Sequence, residues 1–235
     1  MLSGQPAVSE YEHRGCRIAC LVTGDKWKQN TYIVTHKLSS NTIVIDPGGN
    51  AELIIQHIRD TRGKLTQILL THAHHDHVGA ASKLSEHYDM PCKLHRQDVR
   101  LLAHAPMYAL SFANKKISAV SRFETFEALF LADEQPAVQA IHTPGHTRGS
   151  VCYIFDGFVF TGDTLLYKRV GRTDLPGSSS GDLSESVEKI VHAFTDETIL
   201  YSGHGKPWAV GEAKKWWQEL HGNPPVHASF IDEIG

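Results

Sequence analysis

The chain has 235 residues, of which 41% are apolar and 21% charged, so it can bury a large hydrophobic core. This composition excludes extensive disorder, and we expect one globular domain that spans 1–235. The net charge of −3 and the lack of any run of Lys and Arg disfavour nucleic acid or an anionic membrane as a partner.

The amino terminus has no basic region followed by an apolar run, and no apolar stretch is long enough to cross a membrane. The four cysteines lie at scattered spacings without a CxxC pair, which is typical of reduced, buried thiols. We therefore expect a cytoplasmic protein. The sequence leaves the oligomeric state open.

The first third of the chain predicts three strands in meander order, CRIACLVTG, NTYIVTH and NTIVIDPGG, the last ended by an Asp-Pro-Gly-Gly turn. Apolar residues at helical spacing follow in NAELIIQHIRD, with Asn50 as the N-cap. A strand, a loop and a helix are predicted for TQILLTHAHHDHVGAASKLSEHYDM. From Lys93 to about Gln135 the pattern indicates an insertion or lid, with helical stretches interrupted by Pro106.

The second half again predicts strands, in AVQAIH, SVCYIF and FVFT. The loop KRVGRTDLPGSSSGD then leads into the helix LSESVEKIVHAF, and a last strand in TILYSGHGKP precedes the helix VGEAKKWWQELHG. Two strand-rich regions, each flanked by helices, predict an α/β fold with two sheets packed face to face and helices outside.

Four histidines and one aspartate fall within six consecutive positions of the stretch LLTHAHHDHVGA. In an extended segment residues two apart point to the same side, so His72 and His74 can bind one ion while His75 points away. Asp76 and His77 begin the predicted helix, where the chain turns and redirects their side chains. The spacing indicates two adjacent metal ions at the end of a buried strand, where α/β proteins often build their sites.

Three further candidate ligands lie near the ends of later strands and next to glycine, which lets the backbone approach a ligand closely. They are His146 in TPGHTRGS, Asp163 in TGDTLL and His204 in YSGHGKP. Each alone is more often a structural turn residue than a ligand. Their joint occurrence in this order, after the first cluster, makes the pattern specific.

These seven residues together resemble the signature of the metallo-β-lactamase superfamily, and the resemblance extends from IVIDPGG to GHGKP. It implies an αββα sandwich of two mixed β-sheets flanked by helices, with the metal site at the edge between the sheets. The resemblance implies one ion held by His72, His74 and His146, a second held by Asp76, His77 and His204, and Asp163 as the bridge.

Imidazole and carboxylate ligands without thiolates suit Zn(II), Fe(II) or Mn(II), and we expect two divalent ions, with zinc favoured. In this interpretation a hydroxide that bridges the ions attacks an activated carbonyl, while Asp76 orients it and shuttles a proton. The predicted reaction is hydrolysis of a small thioester or ester without a covalent enzyme intermediate.

The segment GRTDLPGSS is similar to the GRTD loop of the glyoxalase II-like branch, whose members resemble hydroxyacylglutathione hydrolase. This resemblance implies a thioester substrate such as S-lactoylglutathione. Lys168, Arg169 and Arg172 are candidates for binding a substrate carboxylate, although Arg172 and Asp174 could also form a local salt bridge. Full-length glyoxalase II carries a C-terminal helical domain that grips glutathione, and about thirty residues follow His204 here. Another thioester or an ester therefore stays open as the substrate.

Other functions fit parts of the same pattern. Persulfide dioxygenases resemble this branch but use one iron, here held by His72, His146 and Asp163, and lactonases share all seven ligands. The missing signal peptide disfavours a periplasmic β-lactamase, and the acidic charge without a basic stripe disfavours a nuclease. A binding or electron-transfer module is expected to lose ligands or to gain a redox domain, and the sequence shows neither.

Overall fold

A computed structural model describes residues 8–24, 27–132 and 135–222. Both ends of the predicted domain, 1–7 and 223–235, lie outside the described residues. Within the described ranges no helix combines the length and the apolar character that crossing a membrane requires.

The secondary structure of the first half consists mainly of strands with four helices between them. The strands are β1 (Val8–His13), β2 (Cys16–Thr23), β3 (Gln29–His36), β4 (Asn41–Ile45), β5 (Lys64–Leu69), β6 (Cys92–His95) and β7 (Phe123–Phe126). The helices are α1 (Ala51–Asp60), α2 (His75–Val78), α3 (Ala81–His87) and α4 (Val99–Ala113).

The second half begins with strands and ends with two long helices. The strands are β8 (Leu129–Leu131), β9 (Val138–His142), β10 (Val151–Phe155), β11 (Phe158–Gly162), β12 (Leu165–Leu166), β13 (Arg169–Val170), β14 (Ile199–Ser202) and β15 (Trp208–Ala209). The helices are α5 (Ser180–Ala193) and α6 (Val210–His221).

The strands form two mixed sheets and a small hairpin. The first sheet has the order β1-β2-β3-β4-β5-β6-β7, antiparallel from β1 to β4 and parallel from β4 to β7. The second has the order β15-β14-β11-β10-β9-β8, in which β11 and β14 are parallel and the other pairs antiparallel. Strands β12 and β13 pair with each other.

The two sheets pack face to face around an aromatic core. Its large rings, all at most 2% exposed, belong to Tyr32, Tyr153, Phe158, Phe160 and Tyr201. Helices α1, α3 and α4 cover the outer face of the first sheet, and α5 and α6 cover that of the second. Full burial of a side chain the size of Phe contributes about 1.5–3 kcal/mol, so this layer fixes the two sheets against each other. The predicted αββα sandwich is confirmed.

The prediction of an insertion or lid over 93–135 is wrong. Strands β6 and β7 belong to the parallel half of the first sheet, and α4 packs on that sheet. Helix α4 also continues through Pro106, although proline cannot donate the backbone bond to the carbonyl of Leu102. Burial of Leu102, Ala105 and Ala109 on one face outweighs this missing bond.

Candidate metal centre

The seven predicted ligands meet at one edge of the sandwich, just beyond the ends of several strands. His72 and His74 follow β5, Asp76 and His77 lie in α2, His146 follows β9, Asp163 follows β11 and His204 follows β14. Because β11 and β14 are parallel, their carboxyl ends lie side by side at this edge. The structure thus brings all seven side chains together.

His72, His74 and His146 form one group, in which a ring nitrogen of each lies within 4.8 Å of the others. Nδ1 of His74 is 2.8 Å from Nε2 of His146. Nδ1 of His146 donates a hydrogen bond to the carbonyl oxygen of Arg172 at 2.9 Å. Nε2 of His146 is then the ring nitrogen whose lone pair faces the group.

Asp76, His77 and His204 form a second group of the same compactness. Nε2 of His204 is 3.3 Å from Oδ2 of Asp76 and 3.4 Å from Nε2 of His77. Nδ1 of His204 donates to the carbonyl oxygen of Lys28 at 2.8 Å, so the protein backbone fixes the orientation of this ring.

Asp163 lies between the two groups. Its Oδ1 is 3.5 Å from Nε2 of His77, and its Oδ2 is 3.6 Å from Nε2 of His146 and 3.5 Å from Nε2 of His204. The carboxylate therefore approaches members of both groups, as a bridging ligand must.

Two buried donor atoms test whether metal ions fit this centre. Nε2 of His72 and Oδ1 of Asp163 are buried and make no hydrogen bond to any described residue. Leaving such an atom unsatisfied costs about 1–3 kcal/mol, and a divalent cation between the groups would satisfy both atoms. The imidazole and carboxylate donors fit Zn(II), Fe(II) or Mn(II).

The protonation states of the first group and of Asp76 also suit a cation. Burial and the neighbouring imidazole of His146 lower the pKa of His74 to about 3, and burial holds the pKa of His72 well below its ordinary value. Burial opposes ionisation of Asp76, but the hydrogen bond from His204 and the charge of His77 outweigh it and keep its pKa well below the usual range. Neutral imidazoles beside an ionised carboxylate are the forms that bind metal.

The histidines of the second group are shifted the other way. Burial opposes their protonation, but the charge of Asp163 outweighs it and raises the pKa of His77 to about 9 and that of His204 above its ordinary value. A metal ion must therefore displace a proton from His77 when it binds there.

Asp46, which the sequence analysis treated as part of a turn, orients one of the predicted ligands. Its Oδ2 accepts a hydrogen bond from Nδ1 of His77 at 2.8 Å. The same buried carboxylate accepts from the backbone N–H and the hydroxyl of Thr71 at 2.7 and 2.5 Å. Asp46 follows β4, the parallel neighbour of β5, so the two strands end at the same edge and bring this carboxylate beside the ligands.

Asp98 is a second buried carboxylate that the sequence analysis missed. It accepts hydrogen bonds from the backbone of Ala73 at 2.9 Å, the hydroxyl of Thr147 at 2.9 Å and the backbone of Gly149 at 2.8 Å. These partners flank His74 on one side and His146 on the other. Asp98 thus ties the two ligand-bearing loops together, and no motif in the sequence marks it.

Two glycines let the backbone pass directly against the ligands. A Cβ on Gly203 would lie 2.4 Å from Oδ1 of Asp163 and 2.6 Å from Cε1 of His77. A Cβ on Gly171 would lie 2.1 Å from the carbonyl oxygen of Asp163 and 2.8 Å from Nδ1 of His146. Any other residue at either position would displace a predicted ligand.

A cavity of about 490 Å³ lies over this centre. Five predicted ligands line it, namely His74, Asp76, His146, Asp163 and His204. Much of its wall is apolar or aromatic and includes Trp27, Leu101, Tyr108, Phe112 and Leu166. Such a wall lowers the local polarity and strengthens electrostatic interactions at the metal centre.

The three basic residues predicted to bind substrate differ in their position relative to this cavity. Arg169 and Arg172 line the cavity, whereas Lys168 lies beside the ring of Tyr167, 5.7 Å from its centroid. Arg172 forms a two-point ion pair with Asp174, with N–O distances of 2.6 and 2.7 Å. The local salt bridge considered for the GRTD loop is therefore present.

His75 lies outside both ligand groups, as its position in the sequence predicted. Its ring lies 6.5 Å from that of Phe112, and the side chain contributes to the cavity wall.

Most of the chain is similar to proteins of known family or structure. The family model described as the metallo-beta-lactamase superfamily matches residues 24–204. Hydroxyacylglutathione hydrolase GloC of Haemophilus influenzae is 34% identical over 180 residues, which cover 74% of this chain and 85% of GloC. The crystal structure of the BLEG-1 B3 metallo-beta-lactamase superposes with a TM-score of 0.75 at 28% identity, over 90% of this chain and 100% of that one. The crystal structure of TTHA1623 in a di-iron-bound form superposes with a TM-score of 0.74 at 31% identity, over 84% of this chain and 96% of that one.

Proposed function

The chain belongs to the metallo-beta-lactamase superfamily, and on this premise we propose that it is a hydrolase that cleaves small thioesters at a centre of two divalent metal ions. The observation that carries the proposal is the meeting of seven histidine and aspartate side chains at one cavity with a largely apolar wall. Similarity to GloC supports a thioester as the substrate, with S-lactoylglutathione as the first to test.

In this proposal His72, His74 and His146 would hold the first ion and Asp76, His77 and His204 the second, and Asp163 would contribute to both sites. Bound ions would polarise the substrate carbonyl and bring the pKa of a water molecule near neutrality. We favour zinc, and iron is the main alternative, since the similar protein TTHA1623 is known in a di-iron-bound form.

Asp76 is the proposed catalytic residue. Its carboxylate lines the cavity, and its depressed pKa keeps it ionised at neutral pH, where it can orient a water molecule and accept its proton. The water oxygen forms a bond to the carbonyl carbon, the carbon–sulfur bond breaks, and Asp76 passes the proton to the departing sulfur. The products are a carboxylic acid and a thiol.

Arg169 is the proposed contact for an anionic group on the substrate. Its side chain lines the cavity and forms no ion pair with a described residue, whereas Arg172 is already paired with Asp174. Arg172 stays a weaker candidate for the same role, and Lys168 could act at the cavity entrance.

Metal analysis of protein produced without metal supplementation, combined with thioester-cleavage and oxygen-uptake assays, tests this function. We expect two metal ions per chain and cleavage of S-lactoylglutathione or a related thioester. One iron per chain with oxygen uptake driven by glutathione persulfide would instead support the dioxygenase alternative and contradict the proposal.

A further inference from the structure

A second, smaller cavity of about 180 Å³ adjoins the metal centre. We propose that it binds the acyl group of the substrate, and that Lys115 selects short acyl groups ending in a carboxylate. The substrate class is then the thioesters of short dicarboxylic acids. This inference rests on the thioesterase function proposed above and specifies its substrate.

The two cavities meet at the metal centre, because Trp27, His75 and Asp76 line both of them. A thioester has two arms, an acyl group and a thiol, on either side of its reactive carbonyl. With the carbonyl at the centre, one arm can therefore enter each cavity.

The sizes of the two cavities indicate which arm of the thioester enters each of them. At roughly 30 Å³ per water molecule, the smaller cavity has room for about six water-sized groups, which corresponds to a short acyl chain. The thiol arm of a biological thioester such as S-lactoylglutathione is a peptide of many more atoms, and the 490 Å³ cavity has the larger volume that it requires.

The wall of the smaller cavity carries one cationic lysine among small or uncharged side chains. Apart from the residues shared with the larger cavity, it consists of Gly24, Gly48, Ala113, Asn114, Lys115 and Ile117. Nζ of Lys115 lies 3.7 Å from where a Cβ on Gly49 would stand, so the ammonium group faces the loop that follows β4.

The end of α4 fixes the backbone that carries this lysine. Asn114 adopts a left-handed conformation (φ 50°) and donates to the carbonyl of Leu110, while the backbone N–H of Lys115 donates to the carbonyl of Ala109, both at 3.1 Å. The bond from Asn114 to Leu110 is that of an αL helix end, in which one left-handed residue turns the chain sharply and sets the direction of the next side chain.

Lys115 forms no ion pair with a carboxylate of any described residue, in contrast to Arg172. An ammonium group without a carboxylate partner gains from an anionic group placed beside it, because a hydrogen bond between two charged groups is stronger than one between neutral groups. A carboxylate at the far end of the acyl chain would supply that partner, whereas a methyl group there would not.

Succinyl and butyryl thioesters of N-acetylcysteamine test the inference, because they differ at the end of the acyl chain. Wild-type kcat/KM should be about ten- to hundredfold higher for the succinyl substrate. Lys115→Met should remove this preference by lowering cleavage of the succinyl substrate alone. Lys116→Met, at an exposed neighbouring position outside the cavity, should keep it.

Binding gives a readout that does not depend on turnover. Calorimetry with the metal-loaded protein should show tighter binding of succinate than of butyrate, and Lys115→Met should abolish the difference without changing metal content or thermal midpoint. Equal cleavage of both substrates, or a succinyl preference that survives Lys115→Met, would overturn the inference and leave the thioesterase proposal standing. Succinate binding that depends on Lys115, without cleavage of any thioester, would uphold the carboxylate site and overturn the thioesterase proposal.

Discussion

Nδ1 of His77 donates a hydrogen bond to Oδ2 of Asp46 at 2.8 Å, and this bond decides which nitrogen of the ring is available to a metal ion. Because Nδ1 is bonded to Asp46, Nε2 is the ring nitrogen left for a metal ion, and it faces Asp163 and His204, 3.5 and 3.4 Å away. Thr71 donates twice to the same carboxylate and holds it in place. Asp46 thus acts through His77 and is a positioning residue.

Replacing Asp46 by Asn should weaken metal binding about 10- to 100-fold, since an amide has one acceptor oxygen and its NH2 group would face either the backbone N–H of Thr71 or Nδ1 of His77. Metal affinity is measured by titration against a competing chelator. Asp60→Asn, a matched change at the exposed end of α1, should leave the affinity unchanged. An Asp46→Asn protein that binds metal as tightly as wild type would show that Asp46 does not set the orientation of His77.

Replacing Asp163 by Ala should remove both metal ions, because its carboxylate approaches members of both predicted ligand sets. Elemental analysis of desalted protein measures the metal content, and thioester cleavage should fall with it. Asp156→Asn, at an exposed turn position, serves as the control. If hydrolysis survived in Asp163→Ala, the proposed mechanism would be wrong.

Gly203→Ala should disturb the centre without altering a ligand. The new Cβ would stand 2.4 Å from Oδ1 of Asp163 and 2.6 Å from Cε1 of His77, closer than atoms can approach. We expect less metal bound per chain although all seven predicted ligands are still present, and elemental analysis measures this metal content. Gly181→Ala offers the contrast, since its nearest neighbour is the hydroxyl of Ser179 at 4.0 Å; loss of metal in both variants would contradict the steric explanation.

The predicted strands and helices correspond to segments with strong local patterns. Strands β2, β3, β4, β10 and β11 are apolar runs bounded by turn residues, and the structure forms all of them. Strand β1 was missed because VSEYEH is mostly exposed at the edge of the sheet and carries little apolar signal. Helix α4 was misjudged because tertiary burial overrides the local effect of Pro106.

Part of the site could likewise be predicted from local sequence patterns, and part could not. The ligand pattern could be identified because four of the seven residues are close together and the other three follow strand ends. Asp46 and Asp98 could not be recognised, since their partners His77 and Thr147 lie 31 and 49 positions away and no local motif links them. The smaller cavity needed three-dimensional information too, because its lining comes from several segments that are far apart in the sequence.

His75→Ala should leave both metal ions in place, whereas His74→Ala should remove at least one. The two histidines are adjacent, but Nδ1 of His74 is 2.8 Å from Nε2 of His146, while His75 belongs to neither ligand group. Elemental analysis compares the two variants, which lose the same number of atoms. A lost ion in His75→Ala would contradict the alternation of side chains along this segment. Because His75 lines both cavities, its removal should raise KM.

The four cysteines should resist thiol reagents in the folded protein. All four are buried and free, and burial raises the pKa of Cys16 to about 11 and those of Cys20, Cys92 and Cys152 to about 12. The thiolate is the reactive form of cysteine. With a pKa of about 11, roughly one in a thousand Cys16 side chains is ionised at pH 8, and the ionised fraction of the other three cysteines is smaller still. An aromatic disulfide reagent should release almost no thiolate colour from the native protein and four equivalents after denaturation. Rapid reaction of one native thiol would show that its surroundings open to solvent, whereas fewer than four equivalents after denaturation would show that a disulfide had formed.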